Sequence, residues 1–216
     1  MPMNNAVSFE SLTRLIRNPW FIAAWLGLMI ISYLWIDLPL AVFFQQHANS
    51  ITVHIAQGVT QWGKSSFYLV ALVGLFCFAR WIKPMPHWQM RSVFLATCIA
   101  LPGILCLLLK VLLGRARPIE WLQHGEYGFY WFKIQASFLS FPSGHTVTIT
   151  GLMFGLCYLF PRYWTAWLII LITVAFSRVI VTAHYLSDIM AGMLLAVLTV
   201  MWLHQQWTRR KIMGYQ

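Results

Sequence analysis

Charge is what this chain has least of. Only 9% of its 216 residues are Asp, Glu, Lys or Arg, against about a quarter in ordinary soluble proteins, while 60% are hydrophobic and the mean hydropathy is +0.68. That balance excludes a water-soluble fold. Cysteine is scarce as well. Cys77, Cys98, Cys106 and Cys157 all fall in apolar runs and make no C-x-x-C pair, so they read as small apolar residues and no disulfide is expected. There is no H-E-x-x-H helix and no close Asp/Glu cluster, which removes the usual sequence signs of a bound metal. Internal repeats, low-complexity tracts and linkers are missing too, so residues 1–216 read as one domain.

What is present in quantity is apolar sequence. A helix needs roughly 20 residues to cross a bilayer, and runs at 21–36, 67–78, 93–113, 147–160, 164–181 and 189–203 predict an all-α, polytopic bundle of six transmembrane helices. The second and fourth runs are short and are expected to gain a turn from flanking polar residues. The first run is long and no small-residue cleavage site follows it, so it reads as an uncleaved helix and not a signal peptide. Two further segments are amphipathic: Phe9, Leu12, Leu15 and Ile16 before Asn18-Pro19, and Ile51, Ile55, Val59 and Trp62 before Gly63. Such stripes suit short helices lying in the membrane interface or helices packed against the bundle.

Basic residues set the orientation. Arg14 and Arg17, then Arg80, Lys83 and Arg91, then Arg162, then Arg209, Arg210 and Lys211 flank alternate ends of the runs. The positive-inside rule places those flanks, both termini and the segment 1–19 in the cytosol. This arrangement also accounts for the net charge of +10, which in a soluble domain would point to nucleic acid; no nucleic-acid partner is expected.

The remaining polar residues gather in three clusters between 110 and 188. Lys110 and Arg117 are seven residues apart, close to two helical turns, so a continuing helix would aim both from one face, although Gly114 loosens it and Pro118 ends it. Arg115 falls off that face and reads as a residue snorkelling to headgroups. Phe141-Pro142-Ser143-Gly144-His145-Thr146 directly precedes an apolar run; first-turn N–H groups there form an anion site, with His145 as a titratable group at its mouth. His184 and Asp188, four apart, would share a helix face, and a carboxylate on one ring nitrogen orients the imidazole for attack by the other. Ser177 and Arg178 add a hydroxyl and a guanidinium fork nearby. Ionisable groups at the span boundaries of so charge-poor a chain are functional by default. Fixed cations, N–H donors, a nucleophile and a proton source are together what phosphoryl transfer needs.

The segments K-V-L-L-G-R-A-R-P, P-S-G-H and S-R-V-I-V-T-A-H-Y-L-S-D, in that order, resemble the three-part signature of the type 2 phosphatidic acid phosphatase superfamily, shared with vanadium haloperoxidases and glucose-6-phosphatase. The resemblance implies that Lys110, Arg117, Ser143, Gly144 and Arg178 hold the phosphate. His184 then attacks phosphorus to give a phosphohistidine, Asp188 orients it and His145 protonates the leaving oxygen, with no cofactor or metal. Membrane-embedded bacterial members resemble phosphatases of undecaprenyl pyrophosphate, phosphatidylglycerophosphate, phosphatidic acid or lipid A. The expected setting is therefore the bacterial inner membrane, with an extracytoplasmic site, a membrane lipid phosphate as substrate, the bilayer around it and no obligatory protein partner. The stretch 120–139, with Trp121, Tyr127, Phe129, Tyr130, Trp131 and Phe132, reads as an aromatic wall or an ordinary interfacial belt. Rival readings are a haloperoxidase, a lipid phosphotransferase using the same intermediate, and a non-enzymatic lipid transporter or scaffold. The first conflicts with a chain that is not soluble, and the last has no use for a histidine pair.

Overall fold

The computed structural model describes residues 4–47 and 49–210, and these are helical and loop in character apart from one isolated bridge between Arg115 and Phe129. The helices are α1 (Asn4–Ile16), α2 (Pro19–Ile31), α3 (Asp37–His47), α4 (Ser50–Thr60), α5 (Ser65–Cys77), α6 (Pro86–Leu113), α7 (Pro118–His124), α8 (Gly144–Leu159), α9 (Trp164–Ile180) and α10 (Leu186–Arg209). Lys211 lies outside the described residues.

Among the described residues, five stretches are long and apolar enough to cross a membrane: Pro19–His47, Ser65–Ile82, Pro86–Leu113, Pro161–Ile180 and Leu186–Arg209. The sixth expected span, α8, has 16 residues. At 1.5 Å per residue it measures about 24 Å, short of the roughly 30 Å hydrocarbon layer. It does not need the full thickness, because it is the central helix. Most of its residues from Thr146 to Leu159 are buried, packed among α6, α9 and α10. Being central and short, it leaves its N-terminal loop recessed within the bundle.

Among the span boundaries that differ from the sequence reading, those of the first two spans have identifiable causes. The first span does not stop at Ile36; α2 continues through a π-helical turn, Ser32–Ile36, into α3. Asp37 looks like a terminator because a carboxylate in a span is costly, but it is fully paired, as described below. The wider turn also lies just ahead of Pro39, whose ring and missing N–H would otherwise disturb the helix ladder. The second span extends to Ser65–Ile82, gaining turns at both ends as expected.

The two amphipathic segments divide between the alternatives. α1 packs against the bundle: Phe9 is 4% exposed and meets Phe154 and Tyr158 edge-on at 5.6 and 5.2 Å. α4 and the 3-10 turn after it, Gln61–Gly63, instead keep Ile51, Ile55 and Trp62 exposed while burying Ala56 and Thr60. At the end where α6 begins and α8 finishes, Arg91 lies over the rings of Trp88 and Phe160.

Close backbone approach holds α6 to α8. A Cβ at Gly151 would stand 2.2 Å from the Cys98 carbonyl oxygen, and one at Gly155 would stand 3.0 Å from Leu95 Cδ2. In lipid there is no hydrophobic drive between helices, so such small-residue contacts supply the packing. Gly151→Ala is expected to cost at least the ~3 kcal/mol upper end of overpacking, seen as a lowered Tm in detergent. Gly74→Ala, with nothing within 4 Å of the added carbon, serves as the control and is expected to stay within about 0.5 kcal/mol of the parent.

Candidate active site

The three clusters meet at the end of the bundle where α6 finishes and α8 and α10 begin. α6 ends after Lys110 because Gly114 adopts a left-handed conformation (φ 57°) and its N–H closes the last turn on the Lys110 carbonyl. The chain then reverses. Ala116 N bonds Gly128 O at 3.0 Å and Tyr130 N bonds Gly114 O at 3.1 Å, folding the aromatic stretch back on residues 114–116. Arg117 is the N-cap of α7, with extended backbone. Lys110 and Arg117 thus converge through a turn and not along one helix face, as a continuing helix would have placed them. Lys110 Nζ donates to the carbonyls of Leu139 and Ser140, which ties it to the loop that leads into α8.

Ser143 caps α8 without a side-chain hydrogen bond to the helix backbone; its hydroxyl accepts from Thr146 Oγ1 at 3.0 Å. The first-turn N–H groups therefore stay available for an anion. Ser143 N donates to the Asp188 carbonyl at 3.1 Å, joining this loop to α10. Lys110 lies beside Gly144, where a Cβ would touch its Cε at 3.8 Å. Lys110, Arg117 and Arg178 act electrostatically on one another and on His145. Arg117 Nε and Arg178 Nε are buried with no hydrogen-bond partner among the described residues. Buried donors left without acceptors are expensive, and an oxyanion between these groups would satisfy them.

His184 is 3% exposed, and its Nδ1 lies 3.4 Å from Asp188 Oδ2 and 3.4 Å from Ser140 Oγ. The pair does not share a helix face, because α10 starts only at Leu186. Asp188 reaches back over the helix start, where its Oδ2 also accepts from Tyr185 N at 3.0 Å and Ser140 Oγ at 2.6 Å. Burial pushes the His184 imidazole down to about 3, with the positive charges of Lys110 and Arg117 adding to it and Asp188 opposing. Burial thus favours the neutral ring.

Two further expectations need correcting. Ser177 does not present its hydroxyl to the site: it is 2% exposed and donates to the Val174 carbonyl at 2.7 Å within α9. Arg115 does not snorkel to headgroups. It is fully buried and bridges Asp37 (2.8 Å) and Asp188 (2.5 Å), with Ser187 Oγ at 2.6 Å. The rings of Tyr185 and Tyr33 stand 4.6 and 4.9 Å from its guanidinium. Asp37 takes further bonds from Ser32 Oγ at 2.9 Å and from the Ser187 amide at 3.0 Å and its hydroxyl. The two flanking carboxylates hold the Arg115 pKa above its ordinary value although burial opposes them. The aromatic stretch splits accordingly: Tyr127 and Phe129 close around Arg115, whereas Trp131 and Phe132 are exposed. Asp37 and Arg115 escaped the sequence reading. The available signal was two opposite charges in an apolar setting, each of which requires a partner.

A cavity of about 370 Å³ adjoins the site, and its lining includes Lys64, Ser65, Gly103, Leu107, Lys110 and His145. A second groove of about 530 Å³ follows the same α5–α6 seam, with Leu69, Leu72, Ala100 and Ile104 among its walls.

The chain is similar in sequence and fold to known proteins. The model of the PAP2 superfamily matches residues 91–212. A lipid A 1-phosphatase of Rhizobium etli is 41% identical over 102 residues, 47% of this chain and 44% of that protein; the match thus spans less than half of that relative. A lipid A 1-phosphatase of Rhizobium johnstonii is 30% identical over 178 residues, 78% of this chain and 72% of that protein. Among solved structures, the transmembrane PAP2 type phosphatidylglycerolphosphate phosphatase of Bacillus subtilis superposes with a TM-score of 0.50, covering 96% of each chain at 18% identity. On the family match and the two-thirds coverage of a relative, this multi-pass membrane protein belongs to the PAP2 superfamily.

Proposed function

We propose that this chain is a lipid phosphate phosphatase, with lipid A 1-phosphate as the substrate that its relatives' names favour. One observation carries the reading. Lys110, Gly144 at the start of α8 and His145 line a cavity whose α5–α6 side adjoins a largely apolar groove between those two helices, and Arg117 and Arg178 act electrostatically on both Lys110 and His145. A phosphate bound there leaves its lipid tail on the membrane side.

In this reading His184 Nε2 attacks phosphorus while Asp188 holds Nδ1, and the P–O bond to the lipid breaks as His145, protonated once the phosphate's negative charge enters the pocket, gives that proton to the departing oxygen. The three cations, the Ser143 hydroxyl and the Gly144 amide stabilise charge on the equatorial oxygens, which is the main demand of this transition state. Water then attacks phosphorus, giving a proton to the now neutral His145, and the P–N bond breaks to release phosphate. The basic flanks support a topology with both termini in the cytosol of a bacterial inner membrane and the site on the extracytoplasmic side.

The function is tested with purified protein and lipid A bearing the 1-phosphate. His184→Ala is expected to lower phosphate release by at least about 10³-fold while the fold persists, and Asp188→Asn to leave a trace of activity. Wild-type release by a folded His184→Ala protein rules the mechanism out. In the same assay the acid limb should show no loss of nucleophile at the ordinary imidazole value of about 6.5. With the folded pKa pushed down to about 3, neutral His184 persists as pH falls from 7 to 5 and is lost only as pH approaches that lower value.

Orientation is tested separately. Single cysteines at the exposed positions Gln123 and Thr208, in a background lacking the native cysteines, should differ in intact spheroplasts. An impermeant thiol reagent should modify the first and spare the second, and the reverse pattern inverts the proposed topology.

A further inference from the structure

None of the three motifs draws on the chain between the first and second spans, yet that stretch touches both sides of the site. Thr60, the last residue of α4, is buried, and its Oγ1 accepts a hydrogen bond of 2.8 Å from Arg178 Nη1. Three residues on, Gly63 packs against His145 so tightly that a Cβ there would fall 2.7 Å from both Cβ and Cδ2 of that histidine. Gly63 has no positive φ, so an alanine would add volume without backbone strain, and the histidine would have to move. The opposite side of the element exposes Ile51, Ile55 and Trp62, continued by Phe67 at the start of α5. Such a ridge seats in the lipid interface and holds the element from outside.

We propose that Thr60 and Gly63 are positioning residues for the two sides of phosphoryl transfer: Thr60 aims the Arg178 guanidinium at the phosphate, and Gly63 sets His145 against the leaving oxygen. This rests on the phosphatase reading above. A long guanidinium side chain binds an oxyanion well only when its fork is pre-aimed. An imidazole acts as general acid only within hydrogen-bond reach of the oxygen it protonates. The pair 60 and 63 gives each group a fixed stop on one short rigid element.

The two roles leave different signatures. The full-length protein is assayed on a lipid phosphomonoester, whose alkoxide must be protonated to leave, and on p-nitrophenyl phosphate, whose phenolate leaves without much help. Orthovanadate, a trigonal-bipyramidal mimic of the transition state, reports the phosphate clamp. Gly63→Ala is expected to lose at least about 10-fold more kcat on the lipid than on the aryl ester, given that general acids contribute 10²–10⁴-fold. Its vanadate inhibition should hold within about twofold, which also reports an intact fold. Thr60→Val should lose equally on both substrates and bind vanadate about 10-fold more weakly, as expected for a lost bond to a charged group, with Thr60→Ser restoring both. Gly58→Ala, on the same helix with nothing within 4 Å of the added carbon, controls for a general disturbance of α4.

Equal losses for Gly63→Ala on the two substrates, or unchanged vanadate binding in Thr60→Val, overturn the proposal. An active His184→Ala protein would instead bring down the underlying reading. A dead His184→Ala with indiscriminate Gly63 and Thr60 variants brings down this inference alone.

Discussion

The site is organised around one buried cation. Arg115 has no exposed surface and lies between Asp37 from the first span and Asp188 at the start of the last. Taking a guanidinium out of water is costly unless it is paired and hydrogen-bonded. Here its terminal nitrogens meet two carboxylates, Ser187 and Tyr127, and aromatic faces add their quadrupoles. The pairing locks three distant parts of the chain together. It lets a helix run through Asp37, and it anchors the loop after α6 beneath the site. It also keeps a negative charge on Asp188 facing His184.

Around that anchor the two halves of the proposed chemistry are divided by environment. On the nucleophile side, His184 is buried and neutral, held by Asp188 and Ser140. On the phosphate side, three cations and the open start of α8 form a positive pocket in which the Nε atoms of Arg117 and Arg178 have no partner among the described residues. The short central helix matters to both. Because α8 is about 24 Å long and buried on nearly every side, its first turn sits inside the bundle, where water is sparse and fixed charge acts strongly. Gly151 and Gly155 make this possible by letting α8 lie against α6 with little intervening side chain.

Much of this was legible before any coordinates, and what was not has identifiable causes. The six apolar stretches follow from hydropathy, and the ordered clusters from Lys110 to Asp188 stood out because charge is so rare in the chain. Helical periodicity misplaced Arg115, since it assumes that α6 continues, whereas Gly114 turns the chain and sends residue 115 inward. The same assumption put His184 and Asp188 on one helix face, when their meeting comes from the way Asp188 folds back over the start of α10. Ser177 looked free because sequence does not reveal that its hydroxyl is spent on a carbonyl one turn back. Asp37 resembled a span end, and only its long-range partner, 78 residues away, explains a carboxylate inside a helix. Thr60 and Gly63 carry no motif at all; their contacts with Arg178 and His145 exist only after the helices assemble.

The central claim is that Arg115 and Asp188 act as one unit in preparing His184. A double-mutant cycle on the rate of phosphoenzyme formation, using Arg115→Met, Asp188→Asn and the pair, tests it directly. Residues that act as a unit are strongly non-additive, so the double variant is expected to be no slower than the slower single variant. Losses that multiply, as for independent residues, would contradict the account.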